Sequence, residues 1–393
     1  MRICALRELD AGMILGKSLF NEAGQLLLRA GYRLDADVLR RLQDSGRSAI
    51  YILEEGTEDI IPEELLSEEA RARAVHAFSQ TIERVTEAAE YRTDIPPAKL
   101  RVVVERAAEF RNVVDVDRVT AEITSVVDEI LDSSAQILNQ TLIKSRQGYR
   151  TEHAVDTTLI SLLIGRHLLY SRRDLVELGT AAFLHDLGKL ALPKLLNKMP
   201  SEYSEEERFV MREHPVFGQQ LLEHSTDRFF MAQTTILHHH ERQDGLGYPL
   251  GLVGLNRKPY LNGQDVSKYM FPFAEIVAVA DAYDNLISPH GRAPLTPEQA
   301  IGEILRQART AYNGEVVALL AKVICVYPTG AMVRITECSN EHLIGLAGAV
   351  MKSNPEKPHY PLVVLLKNLE GRRLTPRTVD LAQESYVRLE LIQ

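Results

Sequence analysis

Residues 239–249 read His239-His240-Glu241-Arg242-Gln243-Asp244-Gly245-Leu246-Gly247-Tyr248-Pro249, and residues 185–189 read His185-Asp186-Leu187-Gly188-Lys189. Histidine nitrogens are common metal ligands, and glycines allow a backbone to approach an anionic substrate closely. The packing of a protein core seldom requires these two features side by side. Together the two segments indicate a metal-dependent hydrolase.

The histidine run of the later segment follows an apolar stretch that ends at Leu237. Side chains of successive helical residues diverge by about 100°, so three neighbouring histidines cannot easily converge on one ion. We therefore interpret His239 and His240 as ligands and His238 as a neighbour.

The earlier segment ends an apolar helix predicted over residues 175–184, and Gly188 is a common helix-stop signal. A carboxylate can share its two oxygens between two cations, whereas an imidazole donates one nitrogen to one ion. Asp186 is therefore the natural bridge, and His185 is a ligand of one ion. Lys189 can hold a substrate phosphate as a point charge. Taken alone, the His-Asp pair would equally suit a helix C-cap with a surface charge.

Three further segments carry residue types that bind metals. His153 lies near the start of a helix with an apolar stripe, His214 precedes Pro215 at a helix start, and Asp281 interrupts a very apolar helix. Burying an unpaired carboxylate is costly, so Asp281 requires a metal or a strong hydrogen-bond partner. Asp284 is interpreted as a supporting or structural acid. The alternative for His153 and His214 is an ordinary helix-terminal histidine.

These residues form two ligand sets that share one carboxylate. The first set is His153, His185, Asp186 and Asp281, and the second is Asp186, His214, His239 and His240. The mixed nitrogen and oxygen donors favour iron, then manganese, with zinc, nickel and cobalt as alternatives. Two cations about 3.5–4 Å apart can share a bridging hydroxide and stabilise both the attacking and the leaving oxygen in phosphoester cleavage. The predicted chemistry is hydrolysis of a phosphoester with two divalent metal ions.

The composition is that of a globular protein with several domains. The chain has 393 residues, of which 45% are hydrophobic and 25% are charged, enough for two or three domains with cores of their own. The formal net charge of -9 argues against binding of polymeric nucleic acid, which requires many neutralised phosphates. Cys4, Cys325 and Cys338 fit neither a disulfide framework nor a zinc ribbon. No transmembrane segment or secretory signal is recognisable, so we expect a cytoplasmic location.

Four segments are predicted along the chain. Residues 1–62 form a small α+β module with a hairpin, a short helix near Val38 and a strand at residues 49–53. Residues 63–97 form an amphipathic helical connector and linker, for which a coiled coil or dimer helix is conceivable. Residues 98–321 form a helical catalytic domain, and residues 322–393 form a β-rich extension. Strands of that extension are expected at residues 323–327, 331–335, 362–366 and 386–391.

With these motifs in this order, the chain resembles the HD-GYP domain phosphodiesterases, a branch of the HD metal-hydrolase superfamily. The resemblance covers roughly residues 120–315 and is carried by His153, residues 185–189, His214, residues 239–249 and Asp281. It implies a multidomain α+β chain with an all-α HD-type helical catalytic core. It also implies a di-iron or di-manganese centre and hydrolysis of cyclic di-GMP first to pGpG and often on to GMP. The loop residues expected to shape the site or dock a partner are Glu241, Arg242, Asp244, Gly245, Gly247, Tyr248 and Pro249.

Two positions depart from the family pattern. Some relatives have a glutamate four residues before the first histidine ligand, where this chain has Tyr149, so we expect two metals rather than three. Many relatives have an Arg-Pro-Tyr-Arg-like segment after the last acidic ligand, where this chain has residues 288–293 with His290 and Arg292. We expect Arg292, together with Lys189, to contact the substrate. Additional sequence at residues 257–269 is interpreted as a lid or as a neutral surface insertion.

The leading hypothesis is an active cyclic di-GMP phosphodiesterase with Asp186 and Lys189 as catalytic residues. One alternative is a metal-bound receptor or interaction module that binds the nucleotide with little turnover. Another is a phosphodiesterase for a different cyclic dinucleotide, because a metal site activates water without selecting the base. A homodimer or a signalling-protein partner is conceivable for the N-terminal part of the chain.

Overall fold

A computed structural model of the protein describes residues 1–20, 26–44, 49–62, 65–90, 113–133, 135, 138, 149–196, 198–223, 229–261, 263, 265–289, 293–354 and 356–392. The chain divides into two compact units. One unit contains Met1–Ser67, Ser134–Tyr149 and Ile324–Gln393, and the other contains Glu68–Ser133 and Arg150–Val323. Among the helices within the described ranges, none combines the length and the apolar character needed to cross a bilayer.

The N-terminal part of the first unit is a small α+β arrangement, as predicted. Its elements are β1 (Arg2–Ala5), β2 (Ile14–Leu15), β3 (Leu19–Phe20), β4 (Leu26–Leu28), α1 (Ala36–Asp44) and β5 (Ala49–Leu53). Strands β1, β5 and β2 form an antiparallel sheet in that order, and β3 pairs with β4. The predicted hairpin, short helix and strand are therefore confirmed.

The C-terminal part of the same unit is a five-stranded antiparallel sheet. Its strands are β6 (Met332–Cys338), β7 (Ala347–Lys352), β8 (Leu362–Lys367), β9 (Arg373–Asp380) and β10 (Val387–Ile392), in the spatial order β10-β6-β7-β8-β9. Three of the predicted strands are present. The strand predicted at residues 323–327 is wrong, because Val323 ends a helix and Ile324 makes only an isolated bridge with Leu138.

The two terminal parts, predicted as separate modules, share one core. The buried side chain of Ile60 packs with Ala349, Val364 and Leu366 of the C-terminal sheet. The carboxylate of Glu54 also forms ion pairs with Arg2 and Arg373, so charged contacts add to the apolar ones. Residues 1–62 and 324–392 therefore belong to one compact unit, although the helical unit separates them in sequence.

The second unit is helical, which confirms the predicted fold class of an all-α core flanked by α+β and β-rich parts. Its helices are α2 (Glu68–Glu90), α3 (Val116–Asp132), α4 (Tyr149–His167), α5 (Arg172–Leu184), α6 (Pro193–Leu196), α7 (Glu205–Met211), α8 (His214–Glu223), α9 (Phe230–His238), α10 (Pro272–Ile287), α11 (Pro297–Arg306) and α12 (Gly314–Val323). Side-chain caps fix several helix starts, since Asp115, Ser171 and Thr296 each accept a backbone N–H of the first turn. Nearly all residues of α10 are buried, as expected for a helix at the centre of a bundle.

Helix α2, which the sequence predicts to be a connector, belongs to the helical unit. Phe78 of α2 packs edge-on against Phe183 of α5, with ring centroids 4.7 Å apart. Arg71 of α2 forms an ion pair with the buried Asp156 of α4. The apolar face of α2 is therefore occupied by its own unit, and residues 91–97 of the predicted connector lie outside the described residues.

We expect the substitution Phe78→Ala to lower the free energy of unfolding of the helical unit by about 3–5 kcal/mol, the usual effect of removing a buried aromatic ring. Urea titration followed by circular dichroism measures this change. Phe209→Ala is a matched control, because the Phe209 side chain is 68% exposed and its truncation should change stability by less than about 0.5 kcal/mol. Equal unfolding midpoints for the two variants would contradict the packing role of α2.

Candidate metal centre

Five helices bring the predicted ligands together, most of them at a helix end. Helix α4 carries His153, the end of α5 carries His185 and Asp186, and α8 begins at His214. His239 and His240 follow α9, and Asp281 lies within α10. The ligand atoms form two clusters, each within 4.8 Å, namely His153 with His185 and Asp281, and Asp186 with His214, His239 and His240.

The Asp186 carboxylate lies between the two clusters. Its Oδ2 atom is 3.7 Å from His153 Nε2 and 3.5 Å from His185 Nε2. Its Oδ1 atom is 3.3 Å from His214 Nε2 and 3.7 Å from His239 Nε2. Each oxygen thus faces a different set of imidazoles, which is the arrangement that a bridging carboxylate needs.

Backbone carbonyl groups orient three of the imidazoles. The Nδ1 atoms of His185, His214 and His239 lie 2.7, 2.7 and 2.6 Å from the carbonyl oxygens of Ala182, Met211 and Ile236, three residues earlier in each case. A neutral imidazole has one N–H and one lone pair, so donation from Nδ1 leaves the Nε2 lone pair directed toward Asp186. Burial lowers the pKa of His214 to about 4, which keeps this ring neutral near pH 7.

Carboxylates orient His153 instead. Its Nδ1 atom lies 2.7 Å from Asp284 Oδ2, and its Nε2 atom lies 3.1 Å from Asp281 Oδ1. Burial disfavours the charged ring, but hydrogen bonds to Asp281 and Asp284 outweigh burial and raise the pKa of His153 to about 10. A divalent cation would have to displace the Nε2 proton before His153 could act as a ligand. The position of Asp284 agrees with its interpretation as a supporting acid.

The donor set fits divalent cations. The Nε2 atom of His185 is buried and has no hydrogen-bond partner among the residues that the structure describes. Leaving such a nitrogen without a partner is unfavourable, and a metal ion would satisfy it. Buried imidazoles combined with two carboxylates provide the nitrogen and oxygen donors that transition-metal ions prefer.

His238 faces away from the clusters, as predicted from its helical position. Its Nδ1 atom accepts a hydrogen bond from the backbone N–H of Phe271 at 3.3 Å. The ring therefore helps to hold the start of α10 and does not join the ligand sets.

The short helical turn Leu187–Ala191 fits closely against the start of α8. A Cβ atom on Gly188 would lie 1.9 Å from the carbonyl oxygen of His214, so only glycine permits this approach. Sequence reasoning interpreted Gly188 as a helix stop and missed this contact. Lys189 Nζ donates to Asp186 Oδ2 at 2.5 Å, and this carboxylate outweighs burial and raises the pKa of Lys189.

The loop after α9 is held by its own side chains. The Glu241 carboxylate accepts the backbone N–H groups of Leu250 and Leu252 at 2.6 and 2.8 Å. A Cβ atom on Gly247 would lie 2.5 Å from the backbone nitrogen of Arg242, so a residue with a side chain would not fit at this position. Arg242 pairs with Asp244, with their closest atoms 2.7 Å apart, and Tyr248 stacks on His240 with a centroid distance of 4.8 Å. Gly245 takes a positive φ, and Pro249 follows a cis peptide bond.

Gln243 fastens this loop to α10, a role that the sequence did not reveal. Its Nε2 atom donates to the buried Glu275 carboxylate at 2.7 Å, and its Oε1 atom accepts the Asn256 backbone N–H at 2.9 Å. Asn313 Nδ2 donates to the second Glu275 oxygen at 3.1 Å. Burial raises the pKa of Glu275 to about 7 despite these amide donors. Glu275 could have been noticed in the sequence, because it is an acidic residue in an apolar helix, as Asp281 is.

The expected substrate contact Arg292 and its neighbour His290 lie outside the described residues. The additional loop at residues 257–269 is attached at its start, where the Arg257 carbonyl accepts from Asn313 Nδ2 at 2.7 Å and the Pro259 carbonyl accepts from the Tyr170 hydroxyl. The two interpretations of this loop, a lid and a neutral surface insertion, both remain predictions.

The chain is similar in sequence to several known proteins. Residues 137–316 match the family model of the HD domain. A cyclic di-GMP phosphodiesterase of Pseudomonas aeruginosa is 28% identical over 78% of this chain and 72% of that protein. A cyclic di-GMP phosphodiesterase response regulator of Xanthomonas campestris pv. campestris is 36% identical over 37% of this chain and 35% of that protein. A 3'3'-cGAMP-specific phosphodiesterase of Vibrio cholerae is 27% identical over 48% of this chain and 38% of that protein.

We expect Asp186→Asn to remove most of the bound divalent metal, because the amide has one acceptor oxygen and no negative charge to place between the two imidazole sets. Elemental analysis of protein purified without chelators measures the metal content. Asp128→Asn is the matched control, since this exposed carboxylate pairs only with Arg172 among the described residues. Unchanged metal content in Asp186→Asn would contradict the bridging position.

We expect Gly188→Ala to reduce metal content and to destabilise the helical unit by about 1–3 kcal/mol, because the added methyl group must push the His214 backbone away. Elemental analysis and urea unfolding are the two measurements. Gly302→Ala is the control, since nothing lies within 4 Å of its added Cβ within α11 and it should stabilise by about 0.5–1 kcal/mol. Full metal content in Gly188→Ala would count against this close approach.

Proposed function

We propose that this chain, whose residues 137–316 match the family model of the HD domain, hydrolyses cyclic di-GMP to pGpG, with GMP as a further product. The position of Asp186 between two imidazole sets is the observation that carries the proposal. The relatives named as cyclic di-GMP phosphodiesterases support this substrate, and the family match supports phosphodiesterase activity more generally.

The residues that would hold two divalent cations are the two sets around Asp186. The first set is His153, His185, Asp186 and Asp281, and the second is Asp186, His214, His239 and His240. When bound, such cations lower the pKa of water and stabilise charge on a phosphodiester undergoing displacement. The nitrogen-rich donor set favours iron, with manganese second.

Two charged side chains of the centre, Asp186 and Lys189, would bind and orient the cations and the substrate. Burial opposes ionisation of Asp186, but Lys189 and the surrounding imidazoles hold its pKa well below the usual range, so this carboxylate stays ionised as a ligand. Lys189 lies against Asp186 Oδ2 and can contact a phosphate oxygen that enters the centre. Lys189 thus serves as a substrate-binding group, and Asp186 as the fixed anion that organises the site.

A second candidate substrate is 3'3'-cGAMP. A relative of Vibrio cholerae is named for this nucleotide, and the ligand sets contain no group that reads a base. A nucleotide receptor with little turnover is the candidate from another functional class.

The deciding experiment incubates protein loaded with ferrous or manganous ion with cyclic di-GMP and separates the products by chromatography. We expect pGpG to appear first, and a chelator to stop the reaction. Parallel reactions with 3'3'-cGAMP compare kcat/KM for the two substrates. Tight binding of cyclic di-GMP without any product, at full metal content, would favour the receptor instead.

We expect Lys189→Ala to retain its metal while kcat/KM for cyclic di-GMP falls by about 10- to 100-fold, the usual effect of removing a charged hydrogen-bond donor. Steady-state kinetics and elemental analysis of the same preparation measure both quantities. Lys194→Ala serves as the exposed control on the following helix α6. A Lys189→Ala enzyme with unchanged kcat/KM would exclude a role for this side chain in binding phosphate.

A further inference from the structure

Arg212 lies at the junction of two helices beside the metal centre. It follows the last residue of α7 and precedes the ligand His214 by two positions. Its backbone N–H donates to the carbonyl groups of Arg208 and Phe209 at 3.2 and 3.1 Å, so its main chain is fixed. The side chain is exposed to solvent.

Aromatic contacts connect the Arg212 side chain to the ligand sets. Its guanidinium carbon lies over the Tyr248 ring, 5.6 Å from the ring centroid. The same ring stacks on His240, with an angle of 24° between the planes and 4.8 Å between the centroids. A guanidinium group over an aromatic face gains an attraction from the negative face of the ring. Arg212 is therefore held one ring away from a predicted metal ligand.

No acidic side chain within the described part of the protein neutralises the charge of Arg212. Lys189 is paired with Asp186, and Arg242 is paired with Asp244. Arg212 forms no ion pair with any residue that the structure describes, in a chain whose net charge is -9. An oriented cation without an anionic partner at the edge of a phosphate-binding centre is suited to an anionic group of the ligand.

We propose that Arg212 is a substrate-binding residue whose guanidinium contacts the phosphodiester of the cyclic dinucleotide that is not being cleaved. This inference rests on the proposed function. A cyclic dinucleotide has two phosphodiesters, and the metal centre with Lys189 can engage only the one that reacts. The planar guanidinium offers paired N–H donors that match two phosphate oxygens. Tyr248 acts as the positioning residue for this group.

The test measures binding of a phosphorothioate analogue of cyclic di-GMP to full-length, metal-loaded protein by calorimetry. Arg212→Ala is expected to raise Kd by about 10- to 100-fold at unchanged metal content, because a charged hydrogen-bond donor is lost. Arg212→Lys, which keeps the charge without the planar fork, should give an intermediate Kd. Arg173→Ala is the matched control, since this exposed arginine lies about 18 Å along α5 from His185.

Two further arms separate phosphate binding from base recognition. The corresponding cyclic di-AMP analogue should lose affinity by the same factor in Arg212→Ala, because its phosphates are identical. The dependence of log Kd on log salt concentration should also become shallower. A loss confined to the guanine ligand would overturn the phosphate contact in favour of base recognition, and an unchanged Kd for both ligands would overturn the proposal entirely.

Tyr248 variants test the positioning role. Tyr248→Phe keeps the ring and should bind as the parent protein does, whereas Tyr248→Leu should weaken binding by a factor close to that of Arg212→Ala. The double variant should then show little additional loss, because both changes remove one interaction. If the losses of affinity in the two single variants multiplied in the double variant, the ring would not be positioning Arg212. If the parent protein binds the analogue but cleaves no cyclic di-GMP, the proposed function fails while the Kd comparison still decides the role of Arg212.

Discussion

A half-buried carboxylate among imidazole rings constrains the whole helical unit. Because the side chain of Asp186 is short, the chain segments that carry the surrounding histidines must all reach within a few ångströms of one point. Helix ends meet this requirement better than helix middles, since the chain can turn there and expose a new side chain. His185, His214 and His239 accordingly lie at the end of α5, the start of α8 and the end of α9. The packing of the bundle follows from this convergence as much as from its apolar faces.

Charge balance is the second constraint on the centre. The carboxylates of Asp186, Asp281 and Asp284 are removed from most solvent contact, and burial of negative charge requires nearby positive charge. Without a bound cation, Lys189 and a protonated His153 supply it. A divalent cation that used His153 as a ligand would have to displace its proton, so the affinity for such a cation would weaken as the pH falls. The second imidazole set, with the lowered pKa of His214, contributes neutral donors.

Side-chain chemistry could be predicted from the sequence, whereas contacts between distant segments could not. The seven residues predicted as ligands lie together. They could be recognised in the sequence because histidine and aspartate are unusual within apolar helices or at their ends. The link from Gln243 to Glu275 depends on residues far apart in sequence, and no local pattern encodes it. Likewise, the apolar spacing of α2 predicted a helix but not the surface that it covers. The apolar run at residues 323–327 was ambiguous, because a buried helix end and a buried strand have similar composition.

The hydrogen bonds from three imidazole Nδ1 atoms to backbone carbonyl groups three residues earlier, in the last turns of α5, α7 and α9, have an entropic consequence. Each of these rings is fixed in rotation when the helix end forms, before any ion arrives. Ordering a side chain opposes binding by up to about 1.5–2 kcal/mol when it occurs in the binding step itself. In this protein the ordering accompanies folding, so an incoming ion meets ligands that no longer have to lose rotational freedom. The main-chain oxygens that have no partner within their own helix at its last turn would thereby contribute to the affinity for a divalent cation without touching it.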